Sequence, residues 1–173
     1  MNMVCNYFKL LGRYRIHGKP ADAHLFTQRG ENEMSELNQR ILDIIHKPQL
    51  SSLATVTEQN NPWVRYVVTV GDGNFILRCA TFADSRKVKQ IQNNPNVHLT
   101  CGVNSFLAMQ PYLQIQAKAR ITVDKEERHN FWNDMLAPIF TGPDDPKYVV
   151  VIIEPYRIEY CTPGSYVPEI WTR

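Results

Sequence analysis

The stretch Leu50–Ala80, LSSLATVTEQNNPWVRYVVTVGDGNFILRCA, decides the fold. It contains three runs rich in β-branched and apolar residues: Leu50–Thr57, Trp63–Val70 and Asn74–Ala80. Two turn signals separate them, Asn60-Asn61-Pro62 and Gly71-Asp72-Gly73. Runs of this length and composition read as strands, and linkers this short join only antiparallel neighbours. A doubly wound parallel sheet needs a crossover helix after nearly every strand, and there is no room for one here. The G-x-G-x-x-G nucleotide fingerprint is absent too.

Working outward, Ser35 can cap a helix in which Leu37, Ile41, Ile44 and Ile45 recur at the helical period, stopped by Lys47-Pro48. Downstream, Asp84–Asn93 reads as a short helix ended by Asn94-Pro95. Val97–Gly102 and Tyr112–Val123 read as strands, the second alternating Leu113, Ile115, Ala117, Ala119 and Ile121. Lys125–Leu136 reads as a helix and Tyr148–Tyr160 as a long strand. The sum is a mainly β, α+β chain: an antiparallel barrel with packed helices. Residues 1–33 show no sustained period and read as an appendage, flexible or the product of a misassigned start. Met34-Ser35 then opens the folded domain, 34–173.

The formal charge of +2 arises from 19 Lys+Arg against 17 Asp+Glu, and the excess lies entirely within residues 1–33. A neutral body argues against duplex DNA, whose binders gain affinity by releasing phosphate counterions. Cys5, Cys79, Cys101 and Cys161 form no C-x-x-C pair, and with the five histidines they supply no zinc spacing. The expected setting is a reducing cytoplasm. No apolar run reaches the 18 or so residues of a membrane span.

The most informative chemistry is Thr81-Phe82-Ala83-Asp84-Ser85-Arg86-Lys87, between a strand and a helix. A helix start presents unpaired N–H groups and partial positive charge. Two cations in the first turn oppose that dipole, at about 0.3–1 kcal/mol each when exposed. A phosphate dianion reverses the sign, taking Arg and Lys contacts and hydroxyl bonds from Thr81 or Ser85. The plain alternative is a solvated cationic start capped by Asp84 or Ser85.

Arg65-Tyr66-Val67-Val68 followed by Thr81…Ser85-Arg86-Lys87…Ile91…Asn94-Pro95 resembles the FMN-binding core of the pyridoxamine 5′-phosphate oxidase-like superfamily. The resemblance spans about Ser35 to Tyr160. Gly142-Pro143-Asp144-Asp145-Pro146 and the later Ile158-Glu159-Tyr160 are similar to its general stress protein branch. The resemblance implies a six-stranded split barrel that forms a homodimer with FMN in grooves at the subunit interface. It assigns the phosphate to Arg86 and Lys87, with Thr81 and Ser85 nearby. Arg65, Tyr66 and the backbone around Val67 would lie along the flavin, where a cation stabilises its reduced form. For Arg65 the alternative is an ordinary cross-strand pair with an acid.

Departures from the family pattern bear on the substrate. Val70 stands where the oxidase has a lysine, and Tyr112 where it offers an interface glutamine, although Gln110 and Gln114 are close. The late Arg-x-His substrate signature is missing from Tyr160–Arg173. Pyridoxamine phosphate oxidation is therefore not expected. The implied function is hydride transfer through FMN between a small-molecule donor and acceptor. The alternatives are a non-enzymatic flavin-binding stress protein, or a relative holding haem or a deazaflavin coenzyme in the same groove. For haem, His98 or a histidine from the tail is the candidate ligand, although a strand histidine is more often structural.

The remaining conspicuous residues carry plainer expectations: Trp63 in core or interface, and Trp132 and Trp171 either covering a flavin or substrate or, equally, packed on a helix face and at a dimer contact respectively. His46 would favour a helix dipole, His129 would be solvated, and Asp144-Asp145 would form a rigid turn.

Overall fold

The computed structural model describes residues 35–103, 105, 107–108 and 110–173. The reading of 1–33 as an extension, the start at Met34 and Cys5 lie outside the described residues. The elements, in chain order, are α1 (Glu36–Ile45), β1 (Gln49–Val56), β2 (Pro62–Gly71), β3 (Leu77–Phe82), α2 (Arg86–Asn93), β4 (Asn96–Cys101), β5 (Tyr112–Thr122), α3 (Lys125–Phe131), β6 (Tyr148–Cys161) and β7 (Glu169–Thr172).

All the strands pair antiparallel in the order β3-β2-β1-β4-β5-β6-β7, and an additional β3–β6 pairing closes the first six into a barrel. β7 is added to the far half of β6, from Arg157 to Tyr160. The closure is uneven. β2 pairs with β1 from Pro62 to Thr69, yet meets β3 only at Val70↔Arg78 and Gly71↔Leu77. Most of β2 therefore diverges from β3, and the barrel is split along that seam.

Side-chain alternation builds two cores. Leu113, Ile115, Ala117 and Ala119 of β5 point inward to meet Leu53, Leu77, Cys79, Leu99, Val151, Ile153 and Ile158. Tyr148-Val149-Val150-Val151-Ile152-Ile153 is buried on both faces, as a near-continuous apolar run requires. Its inner set fills the barrel. Its outer set, Tyr148, Val150 and Ile152, is covered by Leu136 and Phe140, with Phe131, Trp132 and Ile139 alongside. Ile41, Leu42 and Ile45 of α1 are buried, and Ile45 lies so close to Gly71 that a Cβ there would stand 2.7 Å from it. Val88 and Ile91 seat α2 on the barrel.

Several boundaries differ from the sequence reading. The strand expected at Asn74–Ala80 is instead a turn followed by β3, because the Asp72 Oδ1 accepts from the N–H groups of Asn74 (2.9 Å) and Ile76 (3.1 Å). Phe75 sits in this turn with φ 65°. The central helix begins at Arg86 rather than Asp84. The helix expected to reach Leu136 stops at Phe131, since the Asn133 side chain bonds the Phe131 carbonyl and the Met135 N–H. Such local side-chain bonding competes with helix continuation. β7 was not foreseen.

Trp171 packs on Phe75 within its own chain, with ring centroids 4.8 Å apart. Trp132, expected on a helix face, instead follows the last residue of α3 and meets Tyr148 edge-on. No helix among the described residues is long and apolar enough to cross a membrane.

Candidate functional site at the start of the central helix

The chain leaves β3 through Phe82–Ser85, where the Ser85 N–H donates to the Phe82 carbonyl at 3.1 Å, and then enters α2. Ser85 occupies the N-cap position, but its hydroxyl makes no capping bond. It turns instead toward Thr81, 3.2 Å away between oxygens. Lys87 folds back over its own helix start and donates from Nζ to Thr81 Oγ1 (2.7 Å) and Ser85 Oγ (3.3 Å). Thr81 itself is buried. The Asp84 carboxylate accepts no N–H of α2 either, so neither residue supplies the cap expected of an ordinary solvated start.

Two further cations converge here. Arg86 lays its guanidinium over the Trp63 ring, 5.0 Å from the centroid. Arg65 reaches inward from β2, donating from Nη1 to the Leu53 carbonyl at 3.0 Å and from Nη2 to Gln90 Oε1 at 2.8 Å. Among the described residues no carboxylate lies within ion-pair reach of Arg65, Arg86 or Lys87. The cross-strand acid weighed for Arg65 is therefore not there; its partners are neutral.

Burial, then the charge of Arg86, pushes the Arg65 pKa down. Burial also lowers that of Lys87, with Arg65 adding repulsion. Cys79 is close to both, its thiol pushed up to about 12 by burial, so it stays neutral and cancels no charge. Cations, hydroxyls and free helix N–H groups together match a phosphate monoester.

The other expected site residues are placed elsewhere. Tyr66, next to Arg65, points to the outer face and is 73% exposed. The Val67 side chain turns inward and packs on the barrel core. Gln114 lies on the outer face in one cross-strand row with Thr100, Ser52 and Tyr66. Three strand spacings separate its ends, roughly 14 Å. Gln114 Nε2 approaches the Tyr112 hydroxyl at 3.4 Å. Gln110 lines a separate groove of about 240 Å³ with Arg40, Asp43, Ile44, Gly102, Pro111 and Tyr160. One chain thus gathers Thr81, Ser85, Lys87, Arg86 and Arg65, but leaves Gln110, Tyr112 and Gln114 apart from them.

Sequence reasoning missed Trp63, Thr55 and Gln90. Trp63, expected in core or interface, is 44% exposed and serves as the platform for Arg86. Its spacing of two from Arg65 on a strand was a usable signal. Gln90 stands three and four residues after Lys87 and Arg86, on the same helix flank. Its other partner, the Thr55 hydroxyl at 2.6 Å, comes from β1 and has no local signature.

His98 is exposed on β4 opposite Ala54 and Gln116. His129, expected to be solvated, is exposed and pairs with Asp144 at 2.9 Å. Asp145 ties its turn together through the Thr141 and Lys147 N–H groups. No cluster able to hold a metal occurs among the described residues.

Comparison with known proteins follows the same outline. The family described as pyridoxamine 5′-phosphate oxidase matches residues 37–162. General stress protein 26 of Bacillus subtilis (strain 168) is 32% identical over 133 residues, covering 77% of this chain and 94% of that protein. The crystal structure of general stress protein 26 from Bacillus anthracis str. Sterne superposes with a TM-score of 0.69 at 30% identity, over 80% of this chain and 100% of that one. More distant structures share the fold alone. An F420 reductase is 21% identical (TM-score 0.54, 67% of this chain and 93% of that one). A heme binding protein from Mycobacterium smegmatis is 14% identical (TM-score 0.56, 72% and 52%).

Proposed function

The chain belongs to the pyridoxamine 5′-phosphate oxidase family, and from that premise we propose that it binds FMN and acts as a flavin-dependent oxidoreductase on a small molecule. The observation that carries this reading is the gathering of Arg65, Arg86 and Lys87 at an uncapped helix start, with no carboxylate among the described residues to balance them. Three neighbouring cations repel one another, and two of them are partly withdrawn from water. A phosphate dianion offsets both costs.

In this reading Lys87 Nζ, already donating to two hydroxyls, turns its remaining hydrogen to the phosphate. The Thr81 and Ser85 hydroxyls orient that ammonium. Trp63 steadies the Arg86 guanidinium over the same anion. Arg65, held between β1 and α2, adds a third fixed positive charge behind Arg86 and Lys87, and the diverging edge of β2 offers backbone to the ring. Bound FMN supplies the capacity to accept and pass on a hydride. The expected donor is a reduced nicotinamide or a small organic molecule, and the acceptor is quinone-like. Val70 and the missing Arg-x-His signature argue against pyridoxamine phosphate as substrate.

The functional unit is a homodimer. Leu50, Val64 and Tyr66 expose apolar surface on the outer face of β1 and β2. Because Gln110, Tyr112 and Gln114 stand away from the cation cluster of their own chain, a second copy is what brings them beside the flavin. The unpaired thiols of Cys79, Cys101 and Cys161 suit a reducing cytoplasm.

An absorption spectrum of the purified protein, before and after adding FMN, tests this. Flavin bands are expected, bleaching when a reduced nicotinamide or another small donor is added. A Soret band, a deazaflavin spectrum or a protein that takes up no FMN overturns the cofactor assignment. Tight FMN binding without bleaching by any such donor removes the oxidoreductase half and leaves a flavin-binding protein.

A further inference from the structure

Gln90 makes a contact that the anion site does not obviously need. Its Oε1 accepts from Arg65 Nη2 at 2.8 Å and from the Thr55 hydroxyl at 2.6 Å, linking α2 to β2 and β1. A guanidinium has donors only, so the amide oxygen must be the atom that faces Arg65. The other end of the Arg65 fork rests on the Leu53 carbonyl. Both holders are neutral.

Elsewhere this protein holds two other half-buried arginines, Arg40 and Arg78, with acids, while Arg128 rests on the Asp145 carbonyl and the Tyr148 ring. Arg40 takes Glu169 in a two-point contact at 2.8 and 2.6 Å. Arg78 is gripped by Asp72 at 2.8 Å and Glu127 at 3.0 Å. A glutamate at position 90 would have the same length as the glutamine and would satisfy Arg65 better. It would also cancel one charge of the cluster and set a carboxylate against the incoming anion. A neutral acceptor orients Arg65 and leaves its charge for a ligand.

We propose that Gln90 is a specificity-determining positioning residue: it holds Arg65 without neutralising it, and so sets the preference of the site for phosphorylated over unphosphorylated flavin. This rests on the reading of the α2 start as the phosphate site. It predicts a division that a purely structural glutamine would not produce. Gln90→Glu weakens FMN binding at least tenfold, changes riboflavin binding less than twofold, and leaves the thermal midpoint of the flavin-free protein unchanged or raised. Gln90→Met removes the acceptor without adding charge. It lowers FMN affinity by a smaller factor and again spares riboflavin.

The experiment is a flavin fluorescence titration of the parent, both Gln90 variants and the Arg86→Ala/Lys87→Ala double variant, with FMN and riboflavin in parallel. Gln90→Glu binding FMN like the parent, while the double variant loses it, overturns the role of Gln90 and leaves the phosphate site standing. FMN and riboflavin weakened equally, or Gln90→Met as damaging as Gln90→Glu, overturns the charge argument. FMN binding undiminished in the double variant overturns the site itself, and this inference with it. Should Gln90→Glu fail to fold, a parent-like FMN-to-riboflavin preference in Gln90→Met is sufficient to overturn the proposal.

Discussion

The starts of α2 and α3 differ in almost every respect that bears on helix stability. At α3, the Asp124 carboxylate accepts from the Glu127 N–H at 2.9 Å, and Glu126 and Glu127 occupy the first turn. α1 is similar: Ser35 Oγ accepts from the Asn38 N–H at 3.2 Å and Glu36 follows. At α2 the capping hydroxyl is turned away, the first turn holds Arg86 and Lys87, and no acid is present in it. The first two starts are built to hold a helix. The third forgoes these stabilising features, which is the pattern expected where a site is organised for a ligand instead of for the apo fold.

The largest expected effect breaks this contrast directly. Replacing Arg86 and Lys87 together by alanine should weaken FMN binding at least tenfold, about 1.4 kcal/mol. The same change should stabilise the flavin-free protein, by about 0.3–1 kcal/mol for each cation removed from the helix start. Flavin titration and denaturant melts of the apo form measure the two signs. A double variant that loses stability as well as affinity would show that the cations serve the fold.

The two cap residues sharpen the contrast. Asp124→Ala should cost about 1 kcal/mol of stability, the usual price of a lost cap, with FMN affinity untouched. Ser85→Ala removes no capping bond, so chemical denaturation should shift by under about 0.5 kcal/mol, while FMN binding falls several-fold. Equal stability losses at both positions would mean that Ser85 caps α2 in solution.

The smallest effect concerns the balanced arginine, Arg78, as a counterpart to Arg65. Burial alone would raise the Asp72 pKa, but the Arg78 guanidinium and the Asn74 and Ile76 N–H groups outweigh it and hold the pKa below the ordinary carboxylate range. A carboxylate depressed on folding contributes stability above its unfolded pKa, about 3.9, and loses it as pH falls through the folded value. Asp72→Asn should therefore lower stability at neutral pH and flatten its decline in acid, modestly, because the pair is partly exposed and screened. An acid titration of the melting midpoint on both proteins reads this. Parallel curves would detach Asp72 from the acid response.

Much of the fold was legible because it follows from local rules. Ser35 capping an apolar helical stripe, the alternation of Leu113–Ala119 and the turns at Asn60-Asn61-Pro62 and Gly71-Asp72-Gly73 each rest on neighbours a few residues apart. The elements that were misjudged depend on a competing bond or a distant partner. Asp72 captures two N–H groups and delays β3, and Asn133 ends α3 early. β7 exists only because β6 pairs with it and Arg40, 129 residues away, fixes Glu169.

The candidate site divides in the same way. Two adjacent cations entering a helix without an acid could be seen in the linear chain, and so could the strand arginine that the family pattern places beside the flavin. Their electrostatic condition could not. Whether Arg65 meets an acid or a neutral amide depends on β1, β2 and α2 meeting at one end of the barrel, and whether Lys87 keeps its water depends on how deeply Thr81 is buried there. The sequence by itself determined which charges, turns and alternating faces the chain carries, because these are properties of neighbours along the backbone. Only the tertiary structure decided which charges go unanswered, because desolvation and pairing are set by residues brought together from far apart.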